Sequence, residues 1–291
     1  MLQTLLRWLI PIVACLVVGP LAGLLTHGLR GVDGGDQTTL LVNTSPWLGL
    51  AAGLAALALA GVTGVVASAA IGPRLGLFSA GLVLTWAAFG TGRIDGVLTV
   101  SPGAASPMGR IALEGVIVGG MGVIIAAAIL LMPVRRAAMA PAAGTTPAPR
   151  DPHPVAHFPE PRKIVDASAL PGLGASLVVF GVVVWLAAQS TYKGQTIASA
   201  ALAAMMAGVA LRVVAVNASA VWVFVGAALL STASPLAASW AHTDLTRAAL
   251  GNDLLRLAKP LPLDYLAGAL LGAPMGLAWG ASMVVKHQDK A

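Results

Sequence analysis

The chain has 291 residues, 57% of them hydrophobic and only 10% charged, with a mean hydropathy of +0.87, whereas soluble domains average about 25% charged residues. A chain of this composition cannot cover itself with a polar surface, which excludes an ordinary soluble enzyme domain. The net charge of +6 comes from 17 Lys and Arg set singly between apolar runs, a pattern that suits anchoring at anionic lipid and not nucleic-acid binding.

Apolar runs of about 20 residues, the length a helix needs to cross a bilayer, recur along the chain. Candidate spans fall at about 5–28, 46–71, 75–91, 111–133, 171–189, 195–215, 219–239 and 262–285. Their length and freedom from mid-span charge separate them from the core helices of a soluble protein. The third and fifth are short, and if either is re-entrant the count falls to seven or six. In the first run, Ile12-Val13-Ala14-Cys15 resembles a lipoprotein cleavage box. Leu16-Val17-Val18 continues the apolar run where a cleaved chain would turn polar, so an uncleaved span is expected. Cys15 is the one cysteine, so no intramolecular disulfide can form.

After the fourth run the composition changes: Arg135-Arg136, seven prolines from Pro141 to Pro161, then Arg162-Lys163. A Pro-rich polar stretch favours extended, solvated backbone. The expected organisation is a four-span half over 1–134, a linker over 135–168 and a second four-span half over 169–291. The basic residues flanking the linker put it in the cytoplasm by the positive-inside rule. Both termini follow, with ten of the 17 Lys and Arg inside. A bacterial inner membrane is the expected location. Asp151, His153 and His157 lie on a strand too flexible to fix coordination geometry, and neither a metal site nor a cofactor is expected.

Leu113–Gly119 can be laid over Leu266–Gly272, each followed by a Met-Gly pair, and Arg93-Ile94-Asp95 and His242-Thr243-Asp244 precede them at similar distances. In a chain this rich in Ala and Gly, chance offers such a match as readily as duplication does. A true duplication would make the fold, an all-α polytopic membrane protein, a parallel repeat about an axis along the membrane normal.

The strongest local signal is Gly268, Gly272, Gly276 and Gly280 at successive i+4 positions in the last span. A face without side chains lets another backbone approach closely. Ala200, Ala204 and Gly208 repeat the spacing, as do Gly49 with Gly53 and Gly115 with Gly119. Such faces serve tight packing in one bundle, or a seam for another subunit or a moving half.

Charges fall near span ends. Glu114 lies one turn inside the fourth span, four residues after Arg110, and an i,i+4 ion pair at the outer interface is expected; a proton or cation site is the alternative. Arg212 is placed to snorkel, and Asp264 to sit at a helix N-terminus. At mid-depth the polar groups are hydroxyls, which in lipid bond back to their own helix. Ser231, Thr232 and Ser234 before Pro235 are the exception considered, because Pro235 frees the Ser231 carbonyl and the group could line a polar path. Pro274 offers a second break. Residues 242–259 read as amphipathic segments lying on the outer surface.

No nucleotide-binding, hydrolase or zinc-protease motif is present, and an enzyme is not expected. Two functions remain. One is a small-solute or ion permease with its path between the halves, near Ser231–Pro235 and the eighth span. The other is a non-catalytic membrane subunit or scaffold that holds other membrane subunits or further copies of itself. The lipid bilayer is the partner common to both.

Overall fold

The computed structural model describes residues 2–101, 107–131 and 169–288; the linker expected over 135–168 lies outside the described residues. The first crossing is α1 (Leu2–Val13), a π-helical turn at Ala14–Val18 and α2 (Gly19–His27). The others are α3 (Pro46–Ala70), α4 (Pro73–Phe89), α6 (Pro107–Leu131), α7 (Leu170–Ala187), α8 (Lys193–Val214), α9 (Val221–Ala241) and α11 (Pro262–Gln288), with short helices α5 (Ile94–Val100) after α4 and α10 (Leu245–Leu250) after α9. Eight helices are long and apolar enough to cross a membrane, and no strand occurs among the described residues. The protein is an all-α, multi-pass integral membrane protein in contact with the lipid bilayer. Its outermost apolar side chains, such as Trp8, Trp47 and Trp240, are of the kind that faces lipid and headgroups.

The two short runs form full helices of 17 and 18 residues in α4 and α7, about 26 Å each at 1.5 Å per residue. The π turn of the first crossing has a local cause. Pro20 has no N–H for the Leu16 carbonyl, and the backbone widens by one residue just before it. Cys15 sits half-buried in that turn.

The two sequence halves share one apolar core with residues from all eight crossings. Helix α4 packs along α11 and α6 along α9, each joining one half to the other. Within the halves, α3 runs beside α6 in the same direction, Gly61 against Ile125 and Gly64 against Ile129. Helix α8 runs beside α11 likewise, Gly268 against Ala200 and Gly280 against Val209 and Arg212. Short helices α5 and α10, each between a third and a fourth crossing, pack on one another.

The glycine positions explain how close the helices come. A Cβ on Gly272 or Gly276 would overlap the carbonyl oxygens of Ala201 and Met205, so α11 lies backbone to backbone on α8. The breaks at Pro235 and Pro274 are each met by a glycine of the opposite half. Gly115 of α6 sits on the carbonyl freed by Pro235, where a Cβ would stand 2.6 Å from Ser231 O. Gly81 of α4 sits on the Leu270–Leu271 backbone one turn before Pro274, where a Cβ would stand 3.0 Å from the Leu270 carbonyl carbon.

One end of the bundle is capped. Residues 38–43 of the loop after α2 are buried, and they pack with α5, α10 and residues 254–261 over a second, smaller apolar cluster that includes Val42, Ile94, Leu98, Met108, Ile111 and Leu261.

Candidate functional site

The capped end holds the buried charges, and the local sequence explains how they meet. Lys193 opens α8, where a cation opposes the partial positive charge of the helix N-terminus by some 0.3–1 kcal/mol. Its position makes sense through its partner. The ammonium lies 2.9 Å from Asp264 Oδ1, with the two side chains 9% and 1% exposed. Asp264 is in the first turn of α11, the favourable end for a carboxylate. Its second oxygen accepts the Thr196 hydroxyl at 2.9 Å and the Leu261 N–H at 3.0 Å. Lys193 also donates to the Thr91 hydroxyl at 2.9 Å, and Thr91 in turn donates to the Ala88 carbonyl. Lys193 therefore ties the first half to the second, and these two bonds use two of its three ammonium donors.

Glu114 completes the cluster. It is 2% exposed and accepts the Leu41 N–H at 3.1 Å. Thr39 and Leu40 of the same turn lie beside it, and Lys193 acts on it through its charge. The turn that aims the Leu41 N–H is held by Thr39 N–H to Val42 O at 3.1 Å, Val42 N–H to Thr39 Oγ1 at 3.1 Å and the Asn43 amide to the Thr39 and Leu40 carbonyls. The loop is further pinned to the α4–α5 break by Gly92 N–H to Thr38 O and Arg93 N–H to Gln37 Oε1. The Leu40 side chain fills the space that Gly53 of α3 leaves open.

The expected Arg110–Glu114 pair is not formed: Arg110 is exposed, and the ion pairs among the described residues are Arg93–Asp95 and Lys193–Asp264. The loop folding back over Glu114 supplies the Leu41 N–H in its place. Nor do the hydroxyls near Pro235 stand open to a path. Ser231 and Thr232 donate to the Ala228 carbonyl at 2.9 Å each and Ser234 to that of Leu230, all within α9, while Gly115 covers the freed Ser231 carbonyl. Arg212 does not snorkel. It is 3% exposed and donates to the Val216 and Ala218 carbonyls just beyond α8.

The segment expected on the outer surface instead folds down as part of the cap. Leu254, Ala258 and Leu261 are buried, Tyr265 donates to the Leu257 carbonyl at 2.6 Å, and Arg256 stacks over Trp185. Lys259 is 2% exposed and donates to Gln189 O and Asn252 Oδ1, both at 2.7 Å. Desolvation, helped by nearby Arg256 and opposed by Asp253, holds its ammonium below the usual lysine range.

Compared with protein-family models, with curated proteins and with solved structures, the chain matches none. The site therefore speaks through its own chemistry: two buried carboxylates, one shared ammonium, and contacts that cross from one half to the other.

Proposed function

We propose that the protein is a permease for a small solute or ion, with its path between the two halves and past the junction of Thr91, Glu114, Lys193 and Asp264. One observation carries the reading: a buried ion pair of the second half is hydrogen-bonded to the first half through Thr91, beside a second buried carboxylate. An intramembrane charge costs at least about 2.5–3.5 kcal/mol on insertion scales, and a buried pair can often be replaced by apolar packing without loss of stability. The glycine seam of α8 and α11 already provides close helix contact. Charges placed where the halves meet are thus better explained by a change of relative position than by adhesion.

The orientation that accompanies this reading puts the capped end outside and both termini, with the linker, in the cytoplasm of a bacterial cell. Labelling of Thr145→Cys from outside intact cells would reverse it.

The test is reconstitution in proteoliposomes under imposed proton and sodium gradients, screened for uptake and counterflow of amino acids, sugars, organic acids, nucleosides and monovalent ions. Saturable uptake of one class above protein-free vesicles, abolished by Lys193→Met, is expected. No uptake of any class, together with a stoichiometric membrane protein that co-purifies with the wild type, would replace the permease by the scaffold.

A further inference from the structure

We infer that the ion coupled to transport is a proton held on the Glu114 carboxylate, and not a metal cation. This rests on the permease reading and names its coupling ion. Hard cations bind through oxygen atoms whose lone pairs point at them. Every contact of the two carboxylates points a hydrogen instead. Glu114 receives the Leu41 N–H, and the nearby Thr39 oxygen is itself occupied by the Val42 N–H. Asp264 receives the Lys193 ammonium, the Thr196 hydroxyl and the Leu261 N–H. A metal ion entering here would face N–H dipoles and an ammonium, whereas a proton needs a single lone pair.

The same contacts decide which carboxylate takes it. Asp264 holds a full positive charge at 2.9 Å, while Glu114 is bonded by the neutral Leu41 N–H and feels Lys193 from farther off. Two carboxylates against one shared ammonium leave one negative charge, and a proton on Glu114 removes it. Lys259 keeps its charge but directs its ammonium at the neutral Gln189 and Asn252 oxygens, and the cation that acts on Glu114 is Lys193. The charges of the cap segment bonded to the loop over Glu114, Arg93 and Asp95, pair with each other. Helices α3 and α9 carry no charge, Arg74 of α4 lies at the far end of its helix, Asp264 and Tyr265 are the titratable groups on the facing turn of α11, and Arg30, Asp33, Asp36 and Arg110 are exposed.

In the step that follows, the proton arrives from water on the capped side and forms an O–H bond at Glu114. It leaves to water on the other side when the junction opens there. Once ionised, Glu114 competes with Asp264 for Lys193, the residue that ties the halves through Thr91, so the proton and the relative position of the halves are linked.

Infrared spectroscopy of the wild type in lipid vesicles tests this without a variant. A protonated-carboxyl C=O band should be present, vanish reversibly as pH is raised, and stay unchanged when sodium chloride replaces choline chloride at fixed pH. It should be lost in Glu114→Gln and, should that variant not fold, shifted in frequency in Glu114→Asp. Absence of a pH-reversible band, its loss on sodium addition at constant pH, or its persistence unshifted in these variants would overturn the assignment. Sodium-driven uptake in vesicles lacking the band keeps the permease and removes the proton; a titrating Glu114 band with no uptake of any solute does the reverse.

Discussion

Helices α8 and α11 meet in two different ways along one interface. From Gly268 to Gly280 they touch backbone to backbone, with no side chain between them on the α11 face. Just before that seam, at the capped end, the same two helices present Lys193 and Asp264 to each other. The seam draws on dispersion and weak Cα–H to carbonyl contacts, which suit lipid because they expose no polar group. The ion pair carries a desolvation cost that glycine contact avoids. Where a membrane protein only needs two helices to adhere, small residues suffice; charge at the end of such a seam marks a place with another task.

Breaking the polar end should have the largest effect. Lys193→Met leaves the Asp264 carboxylate buried without its cation and should cost about 3–5 kcal/mol, read as a lowered thermal midpoint in detergent. Breaking the seam comes next. Gly276→Leu drives a side chain into the Met205 carbonyl and should cost about 1–3 kcal/mol or more, as overpacking does. Met275→Leu, one residue away and half exposed, should stay within about 0.5 kcal/mol. Equal melting of both variants would mean that the glycines do not mark the contact.

Glu114 sharpens the comparison from within the cluster. Glu114→Ala orphans the buried Leu41 N–H and should cost about 1–3 kcal/mol. Glu114→Gln keeps a carbonyl to accept it and should cost less than about 1 kcal/mol. A Gln variant as unstable as the Ala variant would show that a charge, not a neutral acceptor, is required there.

The smallest effect belongs to Lys259. Its folded value lies below the ordinary 10.5, so between the two the unfolded chain binds the extra proton and stability rises with pH. Melting of the wild type relative to Lys259→Gln should therefore improve as pH climbs toward 10.5, and a difference that falls with pH would contradict the burial of a charged ammonium there.

The crossings were legible because length and hydropathy decide them: about 20 apolar residues with no mid-span charge admit few other readings. The cap was not. Residues 28–45 fall between two expected spans, and only the triplet Leu40-Leu41-Val42 hints that part of the segment turns inward to meet Glu114. A pairing of Glu114 with Arg110 follows from helix geometry alone, but a folded-back loop competes for the same carboxylate and no helical spacing reveals it. Lys193 did offer a signal, a cation in the first turn of a helix, on the unfavourable side of the macrodipole. Pro235 and Pro274 were visible as breaks, yet the glycines that cover them come from helices more than a hundred residues away in sequence, a distance over which periodicity carries no information.

The most direct measurement sets stability against transport in the double variant Lys193→Met/Asp264→Asn, whose amide oxygen still accepts the Thr196 hydroxyl and the Leu261 N–H. With both charges removed, no buried charge of the pair is left without its partner, and a thermal midpoint close to that of the wild type is expected. Solute uptake in proteoliposomes should nonetheless be lost. A stably folded double variant that still takes up solute at the wild-type rate would contradict a transport role for the junction and reduce the ion pair to packing.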